Sequence, residues 1–286
     1  MPAKIIDCKQ IAEQIKQEIK DKVAEIKKTG DAPSLAVILV GNDPASEVYV
    51  GSKKKACEFT GITSYSYDLP AETTEAEILS LIDKLNADPK INGILVQMPV
   101  PKHIDPDKVF KAVSPEKDVD CFHPYNIGLL SMGRPNFLPA TPAGAIEILK
   151  RSGAEISGKN CVVLGRSNIV GKPMAQLLMQ EDGTVTVCHS KTKNLAEVCR
   201  EADILVAAIG KPQFVTKDMV KEGAFIVDVG INRKPDSKKL LGDVDFDGCA
   251  EVAGSITPVP GGAGVMTIAM LMQNCLTAYL TKKANG

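Results

Sequence analysis

The sequence is short of the features that mark a metalloprotein, a secreted protein or a polyanion binder. It has only three histidines, and they are scattered, so no zinc site follows from them. Its eight cysteines never fall in a Cys-x-x-Cys pair. Cys161 and Cys188 sit inside apolar, strand-like runs and read as reduced core residues of a cytosolic protein. Positive and negative side chains nearly cancel, 34 against 35 for a net charge of -1, which excludes a general attraction to nucleic acid or an anionic membrane. The amino terminus, MPAKIIDCKQIAEQIK, turns amphipathic at once and lacks the continuous apolar core of a secretory signal. No stretch reads as long enough for a membrane span. There is no internal repeat and no low-complexity tract beyond a frayed KKANG end. What remains is a soluble globular chain of 286 residues, long enough for two modest domains. It is expected in the cytoplasm, or inside an organelle if a transit peptide has been removed.

Along this chain apolar runs alternate with amphipathic ones. Asp7 and Gln10 cap a helix whose apolar stripe is Ile11, Ile15, Ile19, Val23 and Ile26, and SLAVILV (Ser34 to Val40) then reads as a buried strand. A helix over Tyr49 to Phe59, a short strand near Ser64 to Asp68, a helix opened by a Thr74/Glu77 capping box and ending near Asn86, and a buried strand at GILVQ (Gly93 to Gln97) follow. This alternation predicts a parallel α/β sheet. The segment from Pro99 to Pro139 is rich in proline, glycine and asparagine and is expected to be mostly loop around one short helix; a loop this long is usually functional. From Cys161 the period restarts with CVVLG, TVTVC, DILVAAIG and AFIVDVG, a second parallel sheet of the nucleotide-binding kind. The boundaries expected are 1–140, completed by 266–286, and 141–265. The last helix, Thr267 to about Lys282, comes after the second sheet is finished and is expected to pack back on the first domain.

GRSNIVGKP, Gly165 to Pro173, marks a candidate phosphate site. A strand ending in glycine, then a turn, then a helix opening at Gly171 offers free amides and a positive helix end. It is not a Walker A loop: five residues separate Gly165 from Gly171 where that motif has four, and Pro173 replaces the magnesium-binding hydroxyl. As a dinucleotide fingerprint it is degenerate, with Ser167 in the second glycine position. The next strand lacks an acidic residue at its end, where NAD enzymes hold the ribose, and reads His189, Ser190, Lys191 instead. Ser190 can donate to a 2′-phosphate and Arg166 can supply a charge-assisted fork, so NADP is favoured over NAD. AAIGKP and DVGIN end their strands on the same carboxyl edge.

Tyr49 and Lys53, four apart on a helix, share one face. A lysine stripped of water in a cleft exchanges protons near neutrality, whereas Lys54 and Lys55 point elsewhere and should face solvent. The competing reading of the three lysines is a solvated charged face. Tyr-x-x-x-Lys also occurs in short-chain dehydrogenases, but here it precedes the nucleotide turn by more than a hundred residues, the wrong order for that family. Gln97, at a strand end before MPVP, aims its amide toward whatever the proline loop encloses. Asp120, in KDVD, can grip a pterin with two parallel hydrogen bonds, or serve as a turn residue like Asp118. His123 reads as part of a loop that orders itself rather than as a catalytic imidazole.

The run ITPVPGGAGVM, Ile256 to Met266, uses proline and glycine to expose main chain to a flat ligand. Taken with KDVD at Lys117 to Asp120 and YVGSK at Tyr49 to Lys53, it resembles the bifunctional methylenetetrahydrofolate dehydrogenase/cyclohydrolase family, in order, over nearly the whole chain. The resemblance implies an α/β fold of two domains: an amino-terminal catalytic domain and a Rossmann-like NADP domain, with a cleft between them. It implies oxidation of 5,10-methylenetetrahydrofolate by NADP and hydrolysis of the methenyl product to 10-formyltetrahydrofolate, within one-carbon metabolism. Lys53 is then the proton-transfer residue, Tyr49 its orienting and stacking partner, Gln97 a tuner of the lysine and Asp120 the pterin anchor. Val96, Met98, Pro260, Gly261 and Gly262 line the folate site. Gly165, Arg166, Ser167, Ser190 and Ile231 hold NADP, Ile231 through its main chain. Expected partners are tetrahydrofolate derivatives and a second copy of the chain, with no nucleic acid, membrane or metal. Three departures stand out: Cys121 where the family usually has glycine, Ala263 and Val265 where valine and proline are usual, and no fused ligase domain. The alternatives are a scaffold that kept the fold and lost the chemistry, and an unrelated NADP-dependent reductase, which leaves the folate-platform glycines unexplained.

Overall fold

A computed structural model describes residues 2–233 and 239–285; Gly286 of the KKANG end lies outside them. In chain order the elements are β1 (Lys4–Ile5), α1 (Cys8–Lys27), β2 (Ser34–Val40), α2 (Pro44–Thr60), β3 (Thr63–Leu69), α3 (Glu75–Ala87), β4 (Gly93–Val96), α4 (Pro106–Ala112), α5 (Pro124–Ser131), α6 (Ala140–Arg151), β5 (Asn160–Leu164), α7 (Gly171–Gln180), β6 (Thr184–Cys188), α8 (Leu195–Arg200), β7 (Ile204–Ala207), β8 (Phe225–Asp228), β9 (Asn232–Arg233), β10 (Leu240–Leu241), α9 (Phe246–Ala250), β11 (Ser255–Ile256) and α10 (Ala263–Asn285). They form two compact units, Met1–Glu13 with Thr141–Thr267, and Gln14–Ala140 with Ile268–Gly286.

The unit of Gln14–Ala140 is built on a three-stranded parallel sheet in the order β3-β2-β4. All seven residues of β2 are buried, as a strand covered on both faces requires. Ile38 of this strand, Ile78 and Ile82 of α3, and Ile94 and Val96 of β4 share one core. The expected Thr74/Glu77 capping box is present, and Asp7 accepts from the Gln10 amide at 3.0 Å at the start of α1. Helix α2 starts earlier than the expected Tyr49, because Asp43 caps it by accepting from the Ser46 amide at 2.8 Å.

Between Pro99 and Pro139 there are two short helices, not one. Asp105 and His123 each accept from the amide two residues on, at 2.9 and 3.0 Å. Each stands directly before a proline in the first helical turn, a start signal that composition alone obscured. From Ile268 onward α10 belongs to this unit: Asn274 Nδ2 donates to the carbonyls of Val119 at 2.7 Å and Leu138 at 2.8 Å.

Two expectations about α10 are corrected. It begins at Ala263 rather than Thr267, so Ala263 and Val265 lie in a helical turn rather than in a loosened loop. The Val265 amide donates to the Gly262 carbonyl at 3.2 Å, a bond that proline cannot make. The helix is also long and apolar enough to cross a membrane by length and composition, although 61% of its most apolar window is buried inside the protein. A core helix meets the same criterion.

The other unit carries a six-stranded parallel sheet in the order β1-β11-β8-β7-β5-β6. Leu164, Leu205, Ala207, Ile226 and Ile256 are central to its core. The strand β1, which pairs Lys4 with Ser255 and Ile5 with Ile256, brings the amino terminus into this unit. At two residues it is too short to show a period of its own.

Candidate active site

In the unit of Gln14–Ala140, three of the residues singled out by sequence come together. Helix α2 projects Lys53, and Nζ donates to Gln97 Oε1 at 2.9 Å. Gln97 Nε2 donates to the Met98 carbonyl at 2.7 Å, which fixes the amide so that its oxygen, not its nitrogen, faces the lysine. Burial holds the Lys53 pKa below the ordinary 10.5, with the Asp120 charge opposing that fall. Asp120 is pushed up to about 6 by burial, again opposed by Lys53, with Asp118 adding to the rise. Asp120 as a whole is half-buried. An amine displaced downward and an acid displaced upward bring both groups toward neutral pH, where proton transfer is useful.

Tyr49 lies one turn before Lys53 and is 40% exposed, so its ring face is available for stacking. Lys54 and Lys55 are exposed, as expected. Val96 is buried in the unit's core and offers a ligand only main chain; Met98 is partly open.

The loop that carries Asp120 is ordered by its own residues, as the turn reading of Asp118 and the loop reading of His123 anticipated. Asp118 is buried and accepts from the amides of Phe122 at 3.1 Å and His123 at 2.8 Å and from Asn126 Nδ2 at 2.9 Å. It therefore organises the loop that carries Asp120. Lys117 Nζ donates to the carbonyls of Leu85, Asn86 and Asp88 at 2.9, 2.8 and 2.8 Å, closing the carboxyl end of α3. Cys121 adopts φ 61°, the left-handed region that favours glycine, and its buried thiol donates to the Phe137 carbonyl at 3.3 Å. The departure at this position thus keeps a glycine-like backbone and anchors it. Cys57 and Cys275 are both buried, and burial raises both thiols, so they stay protonated and uncharged at neutral pH. His123 caps α5 through Nδ1.

In the other unit the turn after β5 is as tight as its sequence suggested. Gly165 has φ 128°, and a Cβ there would lie 2.2 Å from the Ala208 carbonyl oxygen; one on Gly171 would lie 2.4 Å from the Gly165 oxygen. Ser167 Oγ accepts from the amides of Val170 and Gly171, both at 3.2 Å. Serine in the second glycine position therefore shapes the turn. Arg166 and Ser190 are exposed beyond β5 and β6, with no carboxylate among His189, Ser190 and Lys191. Ile231 is 45% exposed. In the run ITPVPGGAGVM, Gly261 has φ 95° and a Cβ on Gly262 would lie 2.2 Å from the Pro258 oxygen, so both glycines are required. Pro260 is exposed.

The order of these two sites along the chain matches two family models: the tetrahydrofolate dehydrogenase/cyclohydrolase catalytic domain over residues 6–120, and the NAD(P)-binding domain of the same family over 139–283. The chain belongs to the tetrahydrofolate dehydrogenase/cyclohydrolase family. Among curated relatives, the bifunctional protein FolD of Agathobacter rectalis is 61% identical over 96% of this chain and 99% of its own. That of Acetivibrio thermocellus is 58% identical over 97% of each. Among solved structures, the bifunctional FolD methylenetetrahydrofolate dehydrogenase/cyclohydrolase of Campylobacter jejuni superposes with TM-score 0.95 at 47% identity, covering 98% of this chain and 99% of that one. The Trypanosoma brucei family member, solved with NADP cofactor and inhibitor, gives TM-score 0.94 at 39% identity over 99% of both chains. Family membership settles against the short-chain dehydrogenase reading of Tyr49 and Lys53.

Proposed function

We propose that this chain oxidises 5,10-methylenetetrahydrofolate to the 5,10-methenyl compound with NADP and hydrolyses that product to 10-formyltetrahydrofolate. The observation that carries the reading is the Lys53–Gln97 pair, with Asp120 near enough to act on the lysine and burial drawing the lysine and the acid toward neutral pH.

Asp120 anchors the pterin with a two-bond fork to its amino and ring nitrogens, and Tyr49 stacks on the substrate. In hydrolysis, water adds to the methenyl carbon and loses a proton, for which the neutral Lys53 amine is the acceptor. The hydroxyl then releases its proton to water as the carbon–N5 bond breaks and N5 takes up the proton held by Lys53, which leaves the formyl group on N10. Gln97 holds Lys53 in place and favours its charged form, so it sets how readily the amine returns its proton. Main chain at Val96 and Met98 completes the folate contacts of this unit; the part given to Pro260, Gly261 and Gly262 rests on the family resemblance.

The turn after β5 suits a dinucleotide, since its glycines let β5 and the start of α7 fold tightly on Ala208 and on each other, which places a helix amino end at the carboxyl edge of the sheet. Gly165 and Ser167 shape that turn, Arg166 and Ser190 take the 2′-phosphate, and the Ile231 main chain contacts the cofactor. NADP, when bound, supplies the acceptor for hydride leaving the bridging methylene carbon.

The functional division proposed is 1–140 with 266–286 for folate chemistry and 141–265 for the cofactor, with residues 1–13 packed in the unit of Thr141–Thr267. The cytoplasm is the proposed location, supported by eight free, buried cysteines. A homodimer through the second domain is proposed on the family resemblance, and a monomer mass by light scattering at micromolar concentration rejects it. The function itself is tested by mixing protein and 5,10-methylenetetrahydrofolate with NADP or NAD. Reduced cofactor together with 10-formyl product, NADP preferred, is the expected outcome; reduced cofactor without accelerated formyl product leaves only the dehydrogenase. Lys53→Met is expected to abolish methenyl hydrolysis and spare cofactor binding.

A further inference from the structure

Two carboxylates in the unit of Thr141–Thr267 have no role in the chemistry above. Asp228 ends β8 and Asp243 follows β10; they are 3% and 0% exposed. Asp228 Oδ1 accepts from the amides of Gly230 at 2.9 Å and Asp243 at 3.0 Å, and Oδ2 from the amide of Val244 at 2.9 Å. Its own amide donates to Thr257 Oγ1 at 2.8 Å. Asp243 Oδ2 accepts from the amides of Ile209 at 2.7 Å and Gly210 at 2.9 Å, and Oδ1 from Asn232 Nδ2 at 2.9 Å. The two carboxylates join in series the segment after β7, the segment after β8 and the segment that enters α9.

The surroundings are shaped to admit them. A Cβ on Gly230 would lie 2.3 Å from Asp243 Cγ, and one on Gly242 would lie 1.8 Å from Asp228 Oδ2. Burial raises the Asp228 carboxyl to about 6 against the pull of three amides, and the Asp243 charge adds to the rise. Two adjacent buried acids are an expensive way to hold turns, since an apolar pair of the same shape often stabilises a fold better. What carboxylates provide is directional: each spans separate amides and fixes their relative position.

The braced segments leave the carboxyl ends of β7 and β8, the edge of a parallel sheet at which ligands bind. The segment after β7 also abuts the phosphate turn, because the Gly165 position packs on the Ala208 carbonyl, one residue before the braced Ile209. Gly230 and Asn232, both braced, flank the exposed Ile231. We infer that Asp228 and Asp243 are positioning residues for the dinucleotide: bracing Ile209–Gly210 and Gly230–Asn232, they hold the main-chain edge against which it lies. The inference rests on the NADP reading given above.

The test measures NADP dissociation in the absence of folate, methenyl hydrolysis in the absence of cofactor, and melting temperature, for the unmodified chain, Asp243→Asn and Asn232→Ala. Asp243→Asn is expected to weaken NADP at least tenfold and leave hydrolysis within twofold, and Asn232→Ala to shift NADP affinity the same way by less. Unchanged NADP affinity in the folded variants overturns the inference, as does a joint fall of affinity, hydrolysis and melting temperature, which marks a merely structural role. Where Asp243→Asn fails to fold, Asn232→Ala decides alone on the same two criteria. Failure of the unmodified chain to bind NADP removes the cofactor reading itself, an outcome separate from NADP binding that the variants leave unchanged.

Discussion

Lys53 Nζ and Gln97 Oε1 are 2.9 Å apart across 44 positions of sequence, and the glutamine cannot turn its nitrogen to the lysine without giving up its bond to the Met98 carbonyl. A carboxamide oxygen at this distance favours the charged amine, against the burial that lowers the Lys53 pKa. Gln97→Glu replaces a neutral acceptor with a charge, raises the Lys53 pKa and locks the ammonium at neutral pH. Methenyl hydrolysis, followed by loss of methenyl absorbance without cofactor, is expected to fall roughly ten- to a hundredfold at pH 7 and to recover partly as pH rises. Gln97→Ala removes the acceptor, so the Lys53 pKa falls further and the limb shifts to lower pH.

With Asp120 as the proposed pterin anchor, its titration is expected to set the pH dependence of folate binding. Its carboxyl titrates near 6 in the fold and at 3.8 unperturbed. The charged fork is therefore intact above pH 6 and lost as pH falls through it, and KM for the folate is expected to rise on acidification across that value. The same sign means that burying this charge opposes folding above pH 6, a cost that fades between pH 6 and 4. Asp120→Asn is expected to raise KM at pH 7.5 by roughly tenfold or more and to flatten the acid limb in steady-state kinetics.

Cys121 separates shape from strain. Cys121→Gly relieves the left-handed backbone by about 1 kcal/mol but loses a buried side chain and its bond to the Phe137 carbonyl, so urea unfolding should change by no more than about 1 kcal/mol. Cys121→Val places a β-branched side chain at φ 61° and is expected to cost about 2 kcal/mol or more. Equal stabilities for the two variants would show that the backbone does not constrain this position.

Arg166 and Ser190 are the residues proposed to choose between NADP and NAD. Arg166→Ala is expected to weaken NADP by roughly ten- to a hundredfold, the loss of one charge-assisted contact, and to leave NAD binding nearly unchanged. Ser190→Asp should reverse the preference by repelling the 2′-phosphate and accepting from a free ribose hydroxyl. Calorimetric titration with each dinucleotide reads both effects.

Both parallel sheets were legible in the chain, because Ser34–Val40 and the four runs from Cys161 on are strand-length segments rich in β-branched and apolar residues and bounded by glycine and polar residues, a local signal. The Thr74/Glu77 box and the Gly165 turn were legible for the same reason, since their partners lie three to six residues apart. The two-residue strand β1 was not, as its partner Ser255–Ile256 is some 250 positions away and neither segment has a period of its own. Nor was the start of α10, where one amide–carbonyl bond, Val265 to Gly262, adds a turn.

The sequence by itself determined which chemistry-bearing residues exist and on what local scaffold: Tyr49 and Lys53 on one helical face, Gln97 at a strand end, Asp120 in a loop, glycines where a phosphate turn needs them. Spacing along a chain fixes such features because helix and strand periods are short. Only the tertiary structure decided what surrounds them. A pKa depends on burial and on charges brought close from distant positions, so the displaced Lys53 and Asp120 and the Asp228–Asp243 brace follow from packing that no local pattern records.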